Sequence, residues 1–177
     1  GYVKTIRNAY AYPLLHSYIR KRNQWSTAAL NTIDWTSLGT ACNRHHHQCH
    51  FVVKLSHDLL PTRSRTKKYN LDRPTHCTYC NESEEALEHI TQCQHATCAT
   101  WRNNLLRTLR TQGETLQTDP VLLASLIENL HSWLHHQTQP LATAYPAAYR
   151  QLVREQTTLG WRQLFNGRWS LEWARLQ

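Results

Sequence analysis

Residues 76–93, HCTYCNESEEALEHITQC, decide how this chain folds, because they hold four metal-ligand side chains at regular spacing. Cys77 and Cys80 form a CxxC pair. After eight intervening residues, His89 and Cys93 form a His-xxx-Cys pair. Zinc favours four thiolate or imidazole donors in a tetrahedron, and a CxxC turn supplies two of them with little strain. The spacing therefore predicts one structural zinc ion, with a cluster of structural or disulfide-bonded cysteines as the alternative.

The second pair of ligands is expected to lie on a short helix that closes the site. Residues 84–88, EEALE, all favour a helix, and Asn81 or Ser83 would cap its start. Side chains four residues apart on a helix project from one face, as His89 and Cys93 would. A zinc ion with four protein ligands has no open position for water, so the predicted ion is structural.

Two nearby residues compete for the fourth ligand position. His95 and Cys98 follow Cys93 within the segment QCQHATC. Cys93 has the better spacing, so Cys98 is expected to be a small buried residue.

A second histidine-rich segment, HHHQCH at residues 45–50, suggests another metal site. His46 and His50 have the spacing of two ligands on one helical face. Cys42 and Cys49 lie seven residues apart, about 10 Å along a helix axis, which is awkward for one zinc ion and too far for a disulfide. The simpler interpretation places both cysteines in the core and the histidines towards solvent or phosphate.

Composition favours a compact intracellular chain. Among 177 residues, 40% are hydrophobic, with seven Trp and eight Tyr, and only five are Gly, which argues against a sheet-rich fold. No apolar run approaches about 18 residues and no secretory signal is present, which predicts a soluble protein without a membrane partner. Six Cys in a zinc-type pattern indicate a reducing compartment. A start at Gly1 and the absence of Met predict a piece of a longer polypeptide.

In the first part of the chain, the sequence predicts one long helix followed by a basic segment. Asp34 is a candidate cap for a helix over residues 35–60, where apolar residues recur at helical spacing and Pro61 ends it. Residues 62–71 then read as a basic helix or arm.

After Cys93, the sequence pattern predicts only helices. A helix containing Trp101 is expected to stop near Gly113. Asp119 and Pro120 mark the next start, followed by an apolar stripe at Leu123, Leu126, Ile127, Leu130 and Trp133 or Leu134. A further helix begins near Tyr149, is weakened by Gly160, and is broken at Gly167 before residues 171–176.

These elements predict an all-α helical bundle with a small CCHC zinc-binding turn-helix inserted between helices. We expect one compact unit with three parts: a basic helical region at 1–76, the zinc-binding insert at 77–98, and a C-terminal helical bundle at 99–177.

Charge is distributed unevenly along the chain. Residues 1–76 hold 12 Lys or Arg and three Asp, a net charge of +9, whereas residues 77–177 hold eight basic and nine acidic residues. This asymmetry predicts a polyanionic partner, RNA or DNA. Tyr69 and Tyr79 could stack on bases. The residues expected to contact phosphates are Lys54, His57, Arg63, Arg65, Lys67, Lys68 and Arg73.

Catalysis is not supported by the sequence. Magnesium-dependent phosphoryl chemistry needs several carboxylates together. Before the metal segment, only Asp34, Asp58 and Asp72 are present, and each is isolated. No Gly-rich phosphate loop or Ser/His/Asp order is present. We therefore expect a chain that is not an enzyme.

Residues 51–93 resemble the reverse-transcriptase zinc-binding domain, which lies downstream of the polymerase in non-LTR retrotransposon polyproteins. The shared features are Lys54, His57, the Leu-Pro-Thr of residues 60–62, and the CxxC and His-xxx-Cys pairs. Residues 159–177, LGWRQLFNGRWSLEWARLQ, are similar to tail segments of such reading frames. His-xxx-Cys is one residue shorter than the commonest family spacing.

The resemblance implies an accessory segment that contacts template RNA or target DNA during target-primed reverse transcription. It implies that Cys77, Cys80, His89 and Cys93 hold the zinc ion, and that Lys54, His57 and Arg63 border the nucleic acid. The paired aspartates of the polymerase palm and the carboxylate–lysine set of a restriction-like endonuclease are absent, so the piece would be non-catalytic. Its partners would be nucleic acid and other parts of a parent polyprotein or complex, in the nucleus or cytoplasm.

The alternative function is a zinc-stabilised helical scaffold subunit, a domesticated retroelement remnant that binds protein partners. The tryptophans distinguish the two hypotheses. If Trp161, Trp169 and Trp173 are buried they belong to the core, whereas an exposed patch would indicate a protein partner.

Overall fold

A computed structural model describes residues 2–57 and 59–177, except for the side chains of residues 3, 4, 6–8, 46 and 49. The described part is all-α: it contains helices and short 3-10 turns but no named strand, which confirms the predicted class. None of these helices is both long enough and apolar enough to cross a bilayer. The helices are α1 Tyr2–Asn23, α2 Thr27–Asn31, α3 Trp35–Arg44, α4 Cys49–Ser56, α5 Arg63–Thr66, α6 Leu87–Gln92, α7 Ala96–Thr115, α8 Pro120–Leu134, α9 Arg150–Leu159 and α10 Leu171–Leu176.

The main core forms around α8, as the apolar stripe predicts. The carboxylate of Asp119 accepts hydrogen bonds from the backbone amides of Val121 and Leu122, and Pro120 occupies the first turn. Leu134 of α8 and Leu152 of α9 are fully buried in the same cluster. Burying one such side chain contributes about 1.5–3 kcal/mol, so α8 and α9 form the stable centre of the fold.

The C-terminal tryptophans belong to this core rather than to an exposed patch. Trp161 and Trp173 are buried, and Trp169 is half-buried against Trp173 at a ring distance of 5.4 Å. The amide oxygen of Gln156 accepts hydrogen bonds from the backbone of Ser170 and from the indole of Trp173, both at 3.1 Å. These bonds attach α10 to α9.

A second, smaller core joins the N-terminal helices to α9. It contains Ile19, Trp25, Leu30, Ile33 and Leu159. Among the described side chains of α1, only Ile19 is buried, so most of this helix lies on the surface.

The single helix predicted over residues 35–60 is wrong. The structure has two helices, α3 and α4, separated by a 3-10 turn at His46–Gln48, and α4 ends at Ser56, well before Pro61. The break lies within NRHHHQ, whose residues have modest helix propensity, and no residue of α3 is buried. Because α3 has no fully buried residue to hold a longer helix in place, weak local propensity decides the result.

Two glycines do more than the sequence predicts. α7 ends at Thr115, near Gly113 as predicted, but Gly113 also lets α7 approach α8, since a Cβ there would lie 2.5 Å from Leu123 Cδ1. Gly160 does more than weaken α9: with φ of 96° it ends the helix, a backbone conformation that favours glycine. Trp101 lies in α7, as predicted, and is 44% exposed.

The Asp34 cap, which the sequence predicts correctly, gives a test of local stability. Its two carboxylate oxygens accept hydrogen bonds from the backbone amide and hydroxyl of Ser37, at 2.9 and 2.6 Å. We expect Asp34→Ala to lower the free energy of unfolding by about 1 kcal/mol, measured by urea denaturation.

The pH dependence of the same cap has a definite sign. The hydrogen bonds from the side chain and backbone of Ser37 lower the pKa of Asp34 in the folded state. The contribution is therefore complete above the unfolded pKa of about 3.9 and is lost as the pH falls through the folded pKa. Asp34→Asn keeps an acceptor but does not titrate, so an equal acid response of both proteins would contradict this account.

Candidate metal centre

The CxxC turn is held by a short hairpin. The amide of Cys77 donates to the Ser83 carbonyl at 2.8 Å, and the amide of Glu85 donates to the Thr75 carbonyl at 2.8 Å. Inside the turn, the amide of Tyr79 donates to the Cys77 sulfur at 3.4 Å. The hairpin directs both cysteines of the pair towards one point.

The helix that follows begins later than predicted. Neither Asn81 nor Ser83 caps it: α6 begins at Leu87 after Ala86, which provides no side-chain cap. Asn81 adopts φ of 57° and lies in the turn, while Ser83 is paired within the hairpin. The hairpin hydrogen bonds thus override the helix propensity of the glutamate-rich residues.

The four predicted ligands converge. Their donor atoms all lie within 4.8 Å of one another. Cys77 Sγ is 3.9 Å from Cys93 Sγ, and Cys80 Sγ is 3.4 Å from His89 Nε2. All three cysteines are free thiols, so the disulfide alternative is wrong for them. The cluster could hold one metal ion.

Cys93 reaches the cluster from the end of α6 rather than from within it. His89 lies in the helix, whereas Cys93 is the residue after its last turn, with φ of −55° and ψ of 128°. Convergence therefore depends on how the chain leaves α6 as well as on the four-residue spacing.

The thiols of Cys80 and Cys93 differ in pKa. Desolvation raises the pKa of Cys93 to about 12. Backbone amides of Glu82 and Ser83 lower the pKa of Cys80, which lies nearer the surface. In the metal-free protein the Cys80 thiol therefore ionises more readily than the Cys93 thiol.

A buried arginine supports the site from α7. Arg102 is 1% exposed, and its Nη1 donates a short hydrogen bond to the carbonyl oxygen of Cys93. The sequence reading missed Arg102, although it shares the helical spacing of Leu106, Leu109 and Gly113 on the inner side of α7.

The competing ligands lie outside the cluster. His95 begins α7, where its Nδ1 accepts a hydrogen bond from the Thr97 amide at 3.3 Å. Cys98 is half-buried in the first turns of α7 rather than fully buried as expected. Neither belongs to the group of four donors.

The second metal site considered at residues 45–50 depends partly on the side chains of His46 and Cys49, which lie outside the described residues, as does Asp58. Cys42 is half-buried, and the rings of His45 and His47 lie 6.1 Å apart. In the part of the chain that the structure describes, no other group of three or more metal-ligating side chains converges.

The residues predicted to contact nucleic acid differ in their burial and in their hydrogen-bond partners. Arg63 is bound within the fold: its Nη1 donates to the His76 carbonyl at 3.1 Å, and its Nε lies 3.8 Å from the Glu85 carboxylate. It therefore attaches α5 to the metal hairpin. His57 and Arg65 are half-buried, and the remaining predicted contacts are exposed: Lys54, Lys67, Lys68 and Arg73.

A basic groove lies beside α5. It has a volume of about 300 Å³, and Thr62, Ser64 and Glu88 contribute to its walls. The sequence reading included two of its cationic residues and missed the two others, because these are far away in the chain. The four cationic residues are Arg22, Arg65, Lys68 and Arg162.

Comparisons of this chain with protein-family models, with curated proteins and with solved structures give no match. Function must therefore be inferred from the four converging donors and from the basic surface beside them.

Proposed function

We propose that this chain is a non-catalytic zinc-binding module that binds RNA or DNA through the basic surface of its first 76 residues. The convergence of Cys77, Cys80, His89 and Cys93 carries the proposal. The resemblance of residues 51–93 to the reverse-transcriptase zinc-binding domain suggests the same role, as an accessory part of a retroelement polyprotein.

Zinc fits the donor set better than other common ions. Thiolates and imidazole select zinc over magnesium or calcium, which prefer oxygen. With Zn–S of about 2.3 Å and Zn–N of about 2.0 Å, a tetrahedron places two sulfurs about 3.8 Å apart and sulfur and nitrogen about 3.5 Å apart. Two separations in the structure, 3.9 and 3.4 Å, are close to these values, and all four donor atoms lie within 4.8 Å of one another.

The metal centre would position the basic surface without contacting the nucleic acid itself. Arg63 and Glu85 connect α5 to the hairpin, so the hairpin fixes where Arg65 and Lys68 point. Tyr69 is 79% exposed beside them and available for stacking on a base. This geometry suits a backbone-binding surface with little base specificity.

A second candidate is the helical scaffold that binds protein. The burial of Trp161 and Trp173 removes the patch first considered for it. Helix α1 offers another surface, since Tyr10 is 77% and Leu14 is 62% exposed at a spacing of four residues. The absence of salt-dependent RNA binding at micromolar protein would favour this candidate.

The zinc proposal is tested by metal content. We expect about one zinc ion per chain after purification without chelator, measured by inductively coupled plasma mass spectrometry. Cys77→Ser should weaken zinc binding by at least about 100-fold, because the hairpin loses a buried ligand. Cys42→Ser is the matched control, since Cys42 lies on α3 and is not one of the four donors, and it should retain full zinc content. Equal zinc content in the two variants would contradict the assignment.

Nucleic-acid binding is tested by the salt dependence of affinity. Single-stranded RNA labelled at one end should bind at low salt, with log K falling linearly against log salt concentration. Binding that does not change between about 50 and 200 mM salt would show that phosphate contacts do not drive it.

A further inference from the structure

We propose that Arg102 is the buried counter-charge of the metal centre and determines how tightly the ion is held. This inference rests on the proposed zinc site. Three thiolates and one neutral imidazole around a divalent ion leave a net charge of −1. A buried charge of this kind is stabilised by an opposite charge nearby.

Arg102 has the properties that such a counter-charge needs. Among the described residues, its side chain is the largest that is fully buried, and a guanidinium carries a positive charge. Among the residues that the structure describes, no carboxylate pairs with it, and its Nε has no acceptor. A buried cation with neither a carboxylate nor a full set of hydrogen bonds is costly unless another anion lies close.

The position of the guanidinium identifies that anion. Its Nη1 donates to the carbonyl oxygen of Cys93, and the thiol of the same residue is one of the four donors. Both residues are 1% exposed, and water screens this pair of charges little. A loaded centre would therefore place the Cys93 thiolate beside the residue carbonyl that already binds this guanidinium.

A purely structural role for Arg102 makes a different prediction. If the side chain only ties α7 to the loop through the Cys93 carbonyl, its removal destabilises the metal-free and the metal-loaded protein alike. If Arg102 balances the charge of the centre, its removal destabilises the metal-loaded protein. The metal-free protein, where Arg102 lacks its counter-charge, is then unchanged or more stable.

The experiment uses the full chain with Arg102→Met, Arg102→Lys and Arg107→Gln. Arg107 lies on the exposed side of α7 and is the control. Zinc affinity is measured by competition with a chromophoric chelator, and melting temperature is measured with and without zinc. We expect Arg102→Met to weaken zinc binding at least about tenfold, while Arg102→Lys, which keeps the charge, stays within about threefold and Arg107→Gln does not change.

The melting temperatures decide between the two roles. A fall in the zinc-loaded Arg102→Met protein, without a fall in its metal-free form, supports the proposal. Equal falls in both forms, or zinc affinity within twofold of wild type, would overturn it and leave the zinc site intact. If Arg102→Met does not fold, a comparable loss of zinc affinity in Arg102→Lys overturns it too. Absence of zinc binding in the wild-type chain would instead remove the proposed function itself.

Discussion

Removal of the metal ion is expected to unfold residues 75–93 and to leave the core around α8 and α9 folded. The metal segment buries few apolar side chains besides Cys77 and Cys93, and backbone hydrogen bonds hold its hairpin. Zinc binding contributes about 10–16 kcal/mol to folding in zinc-finger peptides, which exceeds what so small a segment can provide alone. The main core has its own buried cluster, to which none of the four ligands belongs.

Hydrogen exchange resolves this prediction residue by residue. After treatment with a strong chelator, the amides of Cys77 and Glu85, which bond across the hairpin, should exchange rapidly. Amides in the middle of α8 should keep their protection, and added zinc should restore the hairpin. His89→Ala should reproduce the effect of chelation, whereas His95→Ala, outside the cluster, should not. Unchanged protection of Cys77 in metal-free protein would contradict the claim that the ion organises this segment.

Reversal of three charges beside the groove is expected to reduce RNA affinity by about 100-fold at low salt. The triple variant Arg65→Glu, Lys67→Glu, Lys68→Glu removes three candidate phosphate contacts and adds repulsion. Each lost contact on a single strand lowers the slope of log K against log salt by about 0.7, so the slope should fall by about 2. Arg63 is kept, because it pairs with Glu85 and its loss would damage the hairpin.

The control makes the same change of charge elsewhere. Arg107, Arg110 and Arg154 are exposed on α7 and α9, away from α5. Their replacement by Glu should reduce affinity far less and leave the salt slope nearly unchanged. Equal losses in the two triple variants would show that net charge attracts RNA, without a defined surface.

Local chemistry in the sequence predicted the metal cluster and the start of α8. Ligand type and spacing predicted which four side chains converge, Cys77, Cys80, His89 and Cys93, although the path of the chain after α6 also contributes. Asp119 followed by proline defines a helix start through the amides that it can satisfy. In both places one strong constraint acts over a few residues, so the sequence is informative.

Predictions failed where packing or long-range pairing decided the result. The helix expected from residue 35 to 60 breaks at residues of modest helix propensity, where α3 has no fully buried residue, and a sequence pattern does not show which face finds a partner. The helix start expected at Asn81 or Ser83 gives way to hairpin bonds with Thr75 and Cys77. Gly113 is a contact point with Leu123, which only the packing of two helices reveals.

Arg102 and the groove show the same limit at the functional site. Arginine is usually exposed on protein surfaces. The position of Arg102 in the helical pattern of α7 therefore indicates a buried residue only once that side of α7 is known to be buried. Arg22 and Arg162 lie far from α5 in sequence and meet it only in the folded chain. Their role in the groove therefore depends on the tertiary structure.

X-ray absorption at the zinc edge tests the central claim most directly, because it reports which atoms surround the ion in the full chain. The account predicts about three sulfur atoms near 2.3 Å and one nitrogen near 2.0 Å, at one zinc per chain. A first shell of oxygen and nitrogen alone, or the same three-sulfur shell in a Cys77→Ser variant, would contradict it.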